Sequence, residues 1–130
     1  MIAFPRPGFA VNLPPVSAPD TGQTEIPPEI AAELLARGAQ FVDVREDYER
    51  QAGYIPGTRH IELERLASQA ATIDREKPVV FQCRLGARSA MATKAFRADG
   101  YDAYNLTGGI MAWVSAGLPI EPEGGYVADH

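Results

Sequence analysis

The sequence predicts an α/β domain in which a parallel sheet carries helices on both faces. Three observations predict it. From Ile26 onward, short apolar runs alternate with longer helix-like stretches, the pattern of parallel strands joined by crossover helices. Glycines at 38 and 100 stop two of the helical stretches, as helix C-termini require. The run Pro78-Val79-Val80-Phe81-Gln82 then breaks at the chain's one cysteine, Cys83, before a glycine-containing turn and another helical pattern. That puts the thiol at the carboxyl end of a buried strand, where open α/β sheets place their ligands.

Taken in order, Pro28 at a first helical position and the pattern from Glu29 to Arg37 give a helix ended by Gly38. Phe41-Val42-Asp43-Val44 is a short buried strand within 39–45, Glu46 to Ala52 a short polar helix, and 53–57 a turn. Arg59-His60-Ile61 is a very short strand and Leu63 to Ala70 a modest helix. The strand at 78–82, a helix over 88–99, a last strand at Ala103–Leu106 and a last helix from Gly108 to Ala116 complete the series. Residues 1–23 differ from all of this, with prolines at 5, 7, 14, 15 and 19 and no periodicity, so they form neither a helix nor a central strand. They make either a disordered tail or an ordered arm. Phe4, Phe9, Val11 and Leu13 favour the arm, packed on its own domain or on a neighbouring subunit in a homodimer. The expected organisation is an arm at 1–23, one domain at 24–120 and a tail at 121–130.

Bulk properties narrow the function. A chain of 130 residues is one domain, able to bury a core without staples. One cysteine excludes an internal disulfide. Two histidines, at 60 and 130, and no cysteine pair leave no recognisable metal site. A net charge of −5 argues against nucleic acid or an anionic membrane as partner. No stretch reaches the ~20 apolar residues of a membrane span, and no secretory signal opens the chain. The expected compartment is the reducing cytoplasm.

The loop Cys83-Arg84-Leu85-Gly86-Ala87-Arg88-Ser89 carries the chemistry. An ordinary thiol has a pKa of about 8.5, whereas a nucleophile must be ionised near neutrality. Successive backbone N–H groups turned inward form an anion-binding nest, Gly86 permits the backbone angles this needs, and the following helix adds its N-terminal field. Arg88 in the first helical turn opposes the helix dipole, which points to an anion as its counterpart. Against this stands the reading of Cys83 as a small buried hydrophobe; Arg84, Gly86, Arg88 and Ser89 make poor core and a good anion cradle. Ser89 either caps the helix or hydrogen-bonds the sulfur. The thiolate is expected to be exposed and open to oxidation. Asp43 and Arg45, at a strand end, are expected to tie loops together by hydrogen bonds and an ion pair, for which Glu49 is a candidate partner. His60 reads as a satisfied structural histidine, and Gly108-Gly109 with Trp113 as a tight strand-to-helix turn that also borders the pocket.

Four strings in order carry a family resemblance: Asp43-Val44-Arg45, then Ile55-Pro56-Gly57-Thr58-Arg59-His60-Ile61, then Cys83 to Ser89, then Leu106-Thr107-Gly108-Gly109-Ile110-Met111-Ala112-Trp113. Over about residues 24–120 the chain resembles a single-domain rhodanese. Tyr54 departs from the histidine many members carry there, and Pro27 from a capping serine or threonine; both bear on stability rather than chemistry. The resemblance implies a single domain with a central parallel five-stranded sheet and helices on both faces. It implies a thiosulfate sulfurtransferase without cofactor or metal, with Cys83 as nucleophile and persulfide carrier. Arg84, Leu85, Gly86, Ala87, Arg88 and Ser89 would bind the substrate, with Asp43, Arg45, Gly108 and Gly109 in support. The implied partners are a small anionic sulfur donor and a thiol, cyanide or sulfur-acceptor protein. Two rivals stand beside it: Cdc25-type phosphatases and arsenate reductases, which also use a cysteine nest closed by arginine, and a persulfide carrier or binding module.

Overall fold

The computed structural model describes residues 23–130; the arm expected at 1–23 lies outside the described residues but for its last position. The elements run β1 (Glu25–Ile26), α1 (Pro28–Ala36), β2 (Gln40–Asp43), α2 (Asp47–Ala52), β3 (Arg59–His60), two 3-10 helices (Leu63–Arg65 and Ala67–Thr72), β4 (Val79–Gln82), α3 (Ala87–Ala98), β5 (Ala103–Leu106) and α4 (Gly109–Ser115). The five strands pair in the order β1-β5-β4-β2-β3, and every pairing is parallel.

The expected two-sided sheet is present, and alternation along the strands builds it. Phe41, Val80, Tyr104 and Leu106 face a core closed by Ala31 and Leu34 of α1 and Ile110 and Trp113 of α4. Their neighbours Val42, Val79, Phe81 and Ala103 face a second core with Ala92 and Phe96 of α3 and Leu66 of the 3-10 segment. Successive strand side chains point to opposite faces, so four-residue strands serve both cores. Trp113 meets Phe41 edge to face at 6.0 Å and donates its indole N–H to the Pro119 carbonyl at 2.8 Å.

Two local expectations are corrected. The helix predicted over Leu63–Ala70 is two 3-10 helices reaching Thr72. Ser68 and Thr72 donate their hydroxyls to the carbonyls of Arg65 and Gln69, each three residues back, and such local bonds compete with the α-helical ladder. The fifth strand is the two-residue β1, which pairs with Asn105 and Leu106 and is too short for periodicity to mark. Helix α1 begins at Pro27 and Pro28 with no side-chain cap, as the missing serine or threonine implied.

At the carboxyl end of β2, Asp43 and Arg45 form the expected ion pair, both side chains fully buried. Arg45 Nε and Nη2 reach the two Asp43 oxygens at 2.9 and 2.8 Å, and Nη2 also donates to the Gly53 carbonyl at 2.8 Å. His60 Nε2 lies 2.8 Å from the Arg45 carbonyl, a structural histidine as expected. The pair thus joins β2, β3 and the turn at 53. Arg45→Ala strips both guanidinium bonds from buried Asp43 and leaves it the backbone N–H of residue 45 at 3.0 Å, Arg50 at 3.3 Å and Gln82 at 3.4 Å. It is expected to cost about 3–5 kcal/mol, read as a lowered midpoint in urea unfolding.

Candidate active site

Strand β4 delivers Cys83 to the sheet's carboxyl edge, and the chain then turns through 84–86 into α3. Gly86, the N-cap of α3, has φ 111°, a left-handed conformation that favours glycine. Its N–H approaches the Cys83 sulfur at 3.1 Å, and Ser89 adds its N–H at 3.5 Å and its hydroxyl at 3.4 Å. Ser89 therefore sits inside the first turn rather than capping it; its hydroxyl also lies 3.3 Å from the Gly86 carbonyl.

The loop carbonyls turn the other way. The Cys83 carbonyl accepts the Ile110 N–H at 2.9 Å and the Gln82 side-chain amide at 3.1 Å. The Arg84 carbonyl accepts the Met111 N–H at 3.2 Å. The Gly86 carbonyl accepts the Ala90 N–H at 3.0 Å and the Asn105 amide at 3.2 Å. Each of these oxygens is anchored outward, which leaves N–H groups to face the sulfur. Gly109 allows this: at φ 63°, a Cβ there would fall 2.5 Å from the Cys83 carbonyl oxygen. The expected support from Gly108-Gly109 is thus a specific docking of the α4 backbone against the loop.

The charges fall differently from the sequence expectation. Arg88 does not stand free beside the sulfur. Its Nη1 and Nη2 bind the two Glu49 oxygens at 2.8 and 3.0 Å, so Glu49 pairs with Arg88 and not with Asp43 and Arg45. Glu49 is fully buried, and one of its oxygens also accepts the Glu46 N–H at 2.9 Å in the capping box of α2. Burial raises its pKa, but the Arg88 hydrogen bonds, the Glu46 N–H and the Arg88 charge together outweigh it and leave the net value below the ordinary one. The Glu49 bonds in turn raise the pKa of Arg88, with a smaller contribution from Cys83. Arg84 Nη2 meets Asp129 Oδ1 at 3.3 Å, while its buried Nε has no acceptor among the described residues.

Cys83 itself is 1 % exposed, against the expectation of an exposed thiolate. The turn tucks the sulfur beneath its own backbone and against α3, while Leu85 projects at 59 %. Ala87 opens α3. Beside Arg88 runs a cleft of about 300 Å³ lined by Val44, Glu46, Glu62, Leu63 and Glu64. Sequence reasoning missed Gln82, Glu49 as the partner of Arg88, Asn105 and Asp129; only Gln82, a polar residue closing an apolar run, carried a local signal. Among the described residues no group of His, Cys, Asp and Glu could hold a metal ion, and no helix is long and apolar enough to cross a membrane.

Known proteins share this fold. The family described as "Rhodanese-like domain" matches over residues 27–116. A thiosulfate sulfurtransferase, GlpE, from Pseudomonas aeruginosa is 39% identical over 97 residues, covering 74% of this chain and 87% of that protein. Among solved structures, a rhodanese-related protein from Thermoplasma volcanium superposes with a TM-score of 0.70 at 27% identity, covering 75% of this chain and 96% of that one. A Rhodopseudomonas palustris protein of unknown function, described as a possible tyrosine phosphatase, gives 0.66 at 29% identity, covering 77% and 86%.

The Glu49–Arg88 pair has a pH signature. Because the folded pKa of Glu49 lies below its ordinary value, the pair's stabilisation is complete above that value, near pH 4.5. It is lost as pH falls through the lower folded value. Urea midpoints measured from pH 7 downward are expected to fall below about pH 4.5. Glu49→Gln is expected to be weaker already at pH 7 and to show a shallower fall; an identical acid limb in the variant would show that other carboxylates set it.

Proposed function

The chain belongs to the rhodanese-like domain family, and from that premise we propose that it moves a sulfane sulfur from a thiosulfate-like donor to a thiophilic acceptor through a persulfide on Cys83. The observation that carries the reading is the set of three donors, from Gly86 and Ser89, converging on the sulfur at 3.1 to 3.5 Å. They stabilise negative charge on sulfur in the attacking thiolate and again in the persulfide.

In the first step the Cys83 thiolate attacks the outer sulfur of thiosulfate. A new sulfur–sulfur bond forms at Cys83, the donor's sulfur–sulfur bond breaks, and its electron pair leaves with sulfite. In the second step an acceptor thiolate or cyanide attacks the outer persulfide sulfur, and Cys83 departs as thiolate. The two half-reactions balance without a redox cofactor, and the kinetics are of the double-displacement kind. The chain has no second cysteine, so the persulfide cannot collapse to an internal disulfide, and an outside acceptor must discharge it. The acceptor is a cellular thiol or an acceptor protein.

The phosphatase reading fits less well. Four residues separate Cys83 from Arg88, one fewer than in the Cys-x5-Arg loops that the phosphatase families resemble. A nest with fewer N–H groups is a smaller ring, suited to one sulfur atom rather than a tetrahedral phosphate. Arg88 is moreover spent on Glu49 and is not available to clasp a phosphate. After thiosulfate treatment, mass spectrometry is expected to show the wild-type chain heavier by one sulfur atom and Cys83→Ser unchanged. Aryl phosphate hydrolysis is expected to be absent; hydrolysis without persulfide would reverse the assignment.

A further inference from the structure

Residues 121–130 lie outside the segment that matches the family, yet they are built onto the domain. Tyr54 and Glu121 exchange backbone hydrogen bonds at 2.8 Å each way, and the Tyr126 N–H donates to the Ala52 carbonyl at 2.9 Å. The approach is so close that a Cβ on Gly53 would fall 2.5 Å from the Tyr126 carbonyl oxygen, and one on Gly125 would fall 3.0 Å from the Ala52 carbonyl oxygen. The segment then runs back along α2 to its first turn, where the Tyr48 hydroxyl donates to the Asp129 carbonyl at 3.0 Å. There Asp129 reaches Arg84, the residue that follows the nucleophile.

From this placement we infer that the C-terminal segment is a strap that sets donor specificity, with the Asp129 carboxylate holding the Arg84 guanidinium that an anionic sulfur donor would use. The Asp129 carboxylate makes one contact, at 3.3 Å, and its side chain is 97% exposed, whereas that of Arg84 is 23% exposed. Its buried Nε has no acceptor among the described residues. A single exposed contact is weak, so a dianion that engages both Nε and Nη2 can displace it. Arg88 offers no substitute, because buried Glu49 already neutralises it. The strap therefore raises the concentration of an anionic donor needed to occupy the site and leaves an uncharged donor unaffected. This inference rests on the sulfurtransferase reading above.

The test is steady-state kinetics of the full chain with thiosulfate and, in parallel, an uncharged organic trisulfide with an added thiol: Cys83 attacks the central sulfur and expels one thiolate, and the added thiol removes the remaining organic group as a disulfide to leave the persulfide. Asp129→Asn is expected to lower KM for thiosulfate by about two- to five-fold, the span of an exposed ion pair, with kcat unchanged and no change in KM for the trisulfide. Glu123→Gln removes the same charge from an exposed position on the same segment and is expected to leave both constants alone. In an Arg84→Ala background, Asp129→Asn is expected to have no effect. An unchanged thiosulfate KM in Asp129→Asn, an equal drop in Glu123→Gln, or a drop that persists without Arg84 would each overturn the strap. Mass spectrometry of Cys83 separates the two levels. Persulfide in every variant with any of those results sinks the strap alone, whereas no persulfide in the wild type removes the sulfurtransferase reading and the strap with it.

Discussion

The backbone of α4 abuts the cysteine loop so closely that Gly109 has no room for a side chain, and its N–H groups at 110 and 111 take up the carbonyls of Cys83 and Arg84. Much else in the site depends on that docking. A short turn presents carbonyls and N–H groups in nearly equal number, and a nest arises only when the two are sorted to opposite sides. Here the sorting is imposed by neighbours: α4 from one side, Gln82 below and Asn105 beside Gly86. Among the described residues the sulfur then meets donors without any cation in hydrogen-bonding contact. Because α4 is carried by β5 and packs through Ile110 and Trp113, the shape of the nest is tied to the same core that holds the sheet together.

Buried charge is handled in the same way, by closed pairs rather than by exposure. Asp43 with Arg45, and Glu49 with Arg88, place two carboxylates fully inside the domain. Such pairs add little net stability over apolar replacements, yet removing one partner strands the other at considerable cost. Their value lies in fixing the ends of β2, α2 and α3 against each other at the edge where Cys83 emerges. The local positive field read from Arg84 and Arg88 is for this reason smaller than the sequence suggested: one arginine is internally neutralised and the other meets a surface carboxylate. What remains strongly anion-stabilising is backbone.

Much of this was legible in the sequence because it is written in short-range pattern. Alternation of Val79, Val80 and Phe81 between faces, glycine at 38 and 100, and the Cys83–Ser89 string each act within a few residues. The strand and helix order followed from them, as did the placement of the cysteine at a strand's end. What escaped is long-range or too brief. Glu49 and Arg88 are 39 residues apart and Arg84 and Asp129 45 apart, separations at which nothing in spacing marks a partner. Strand β1 is two residues long. The 3-10 segment holds Leu63 and Leu66 at a spacing that suits either helix type, and serine and threonine hydroxyls decided it. Burial of Cys83 also could not be read locally, since it follows from how the turn folds over its own sulfur.

That burial has a chemical consequence. A cysteine sulfur 1 % exposed is shielded from bulky oxidants and from other protein thiols, so a chain with a single cysteine can remain reduced without a resolving partner. The same shielding restricts who can react. In the proposed reaction a small donor presents one terminal sulfur to the nest, whereas an acceptor would have to reach the outer atom of a persulfide, one bond farther from Cys83. Loading the sulfur would thus move the reactive atom outward, toward the loop residues Arg84 and Leu85. In the proposed reaction the uncharged donors of Gly86 and Ser89 stabilise charge on sulfur in both half-reactions, while Arg84 at the mouth meets the anionic donor in the first and the acceptor in the second. Leu85, 59 % exposed beside Cys83, would in that scheme offer an apolar contact to an acceptor.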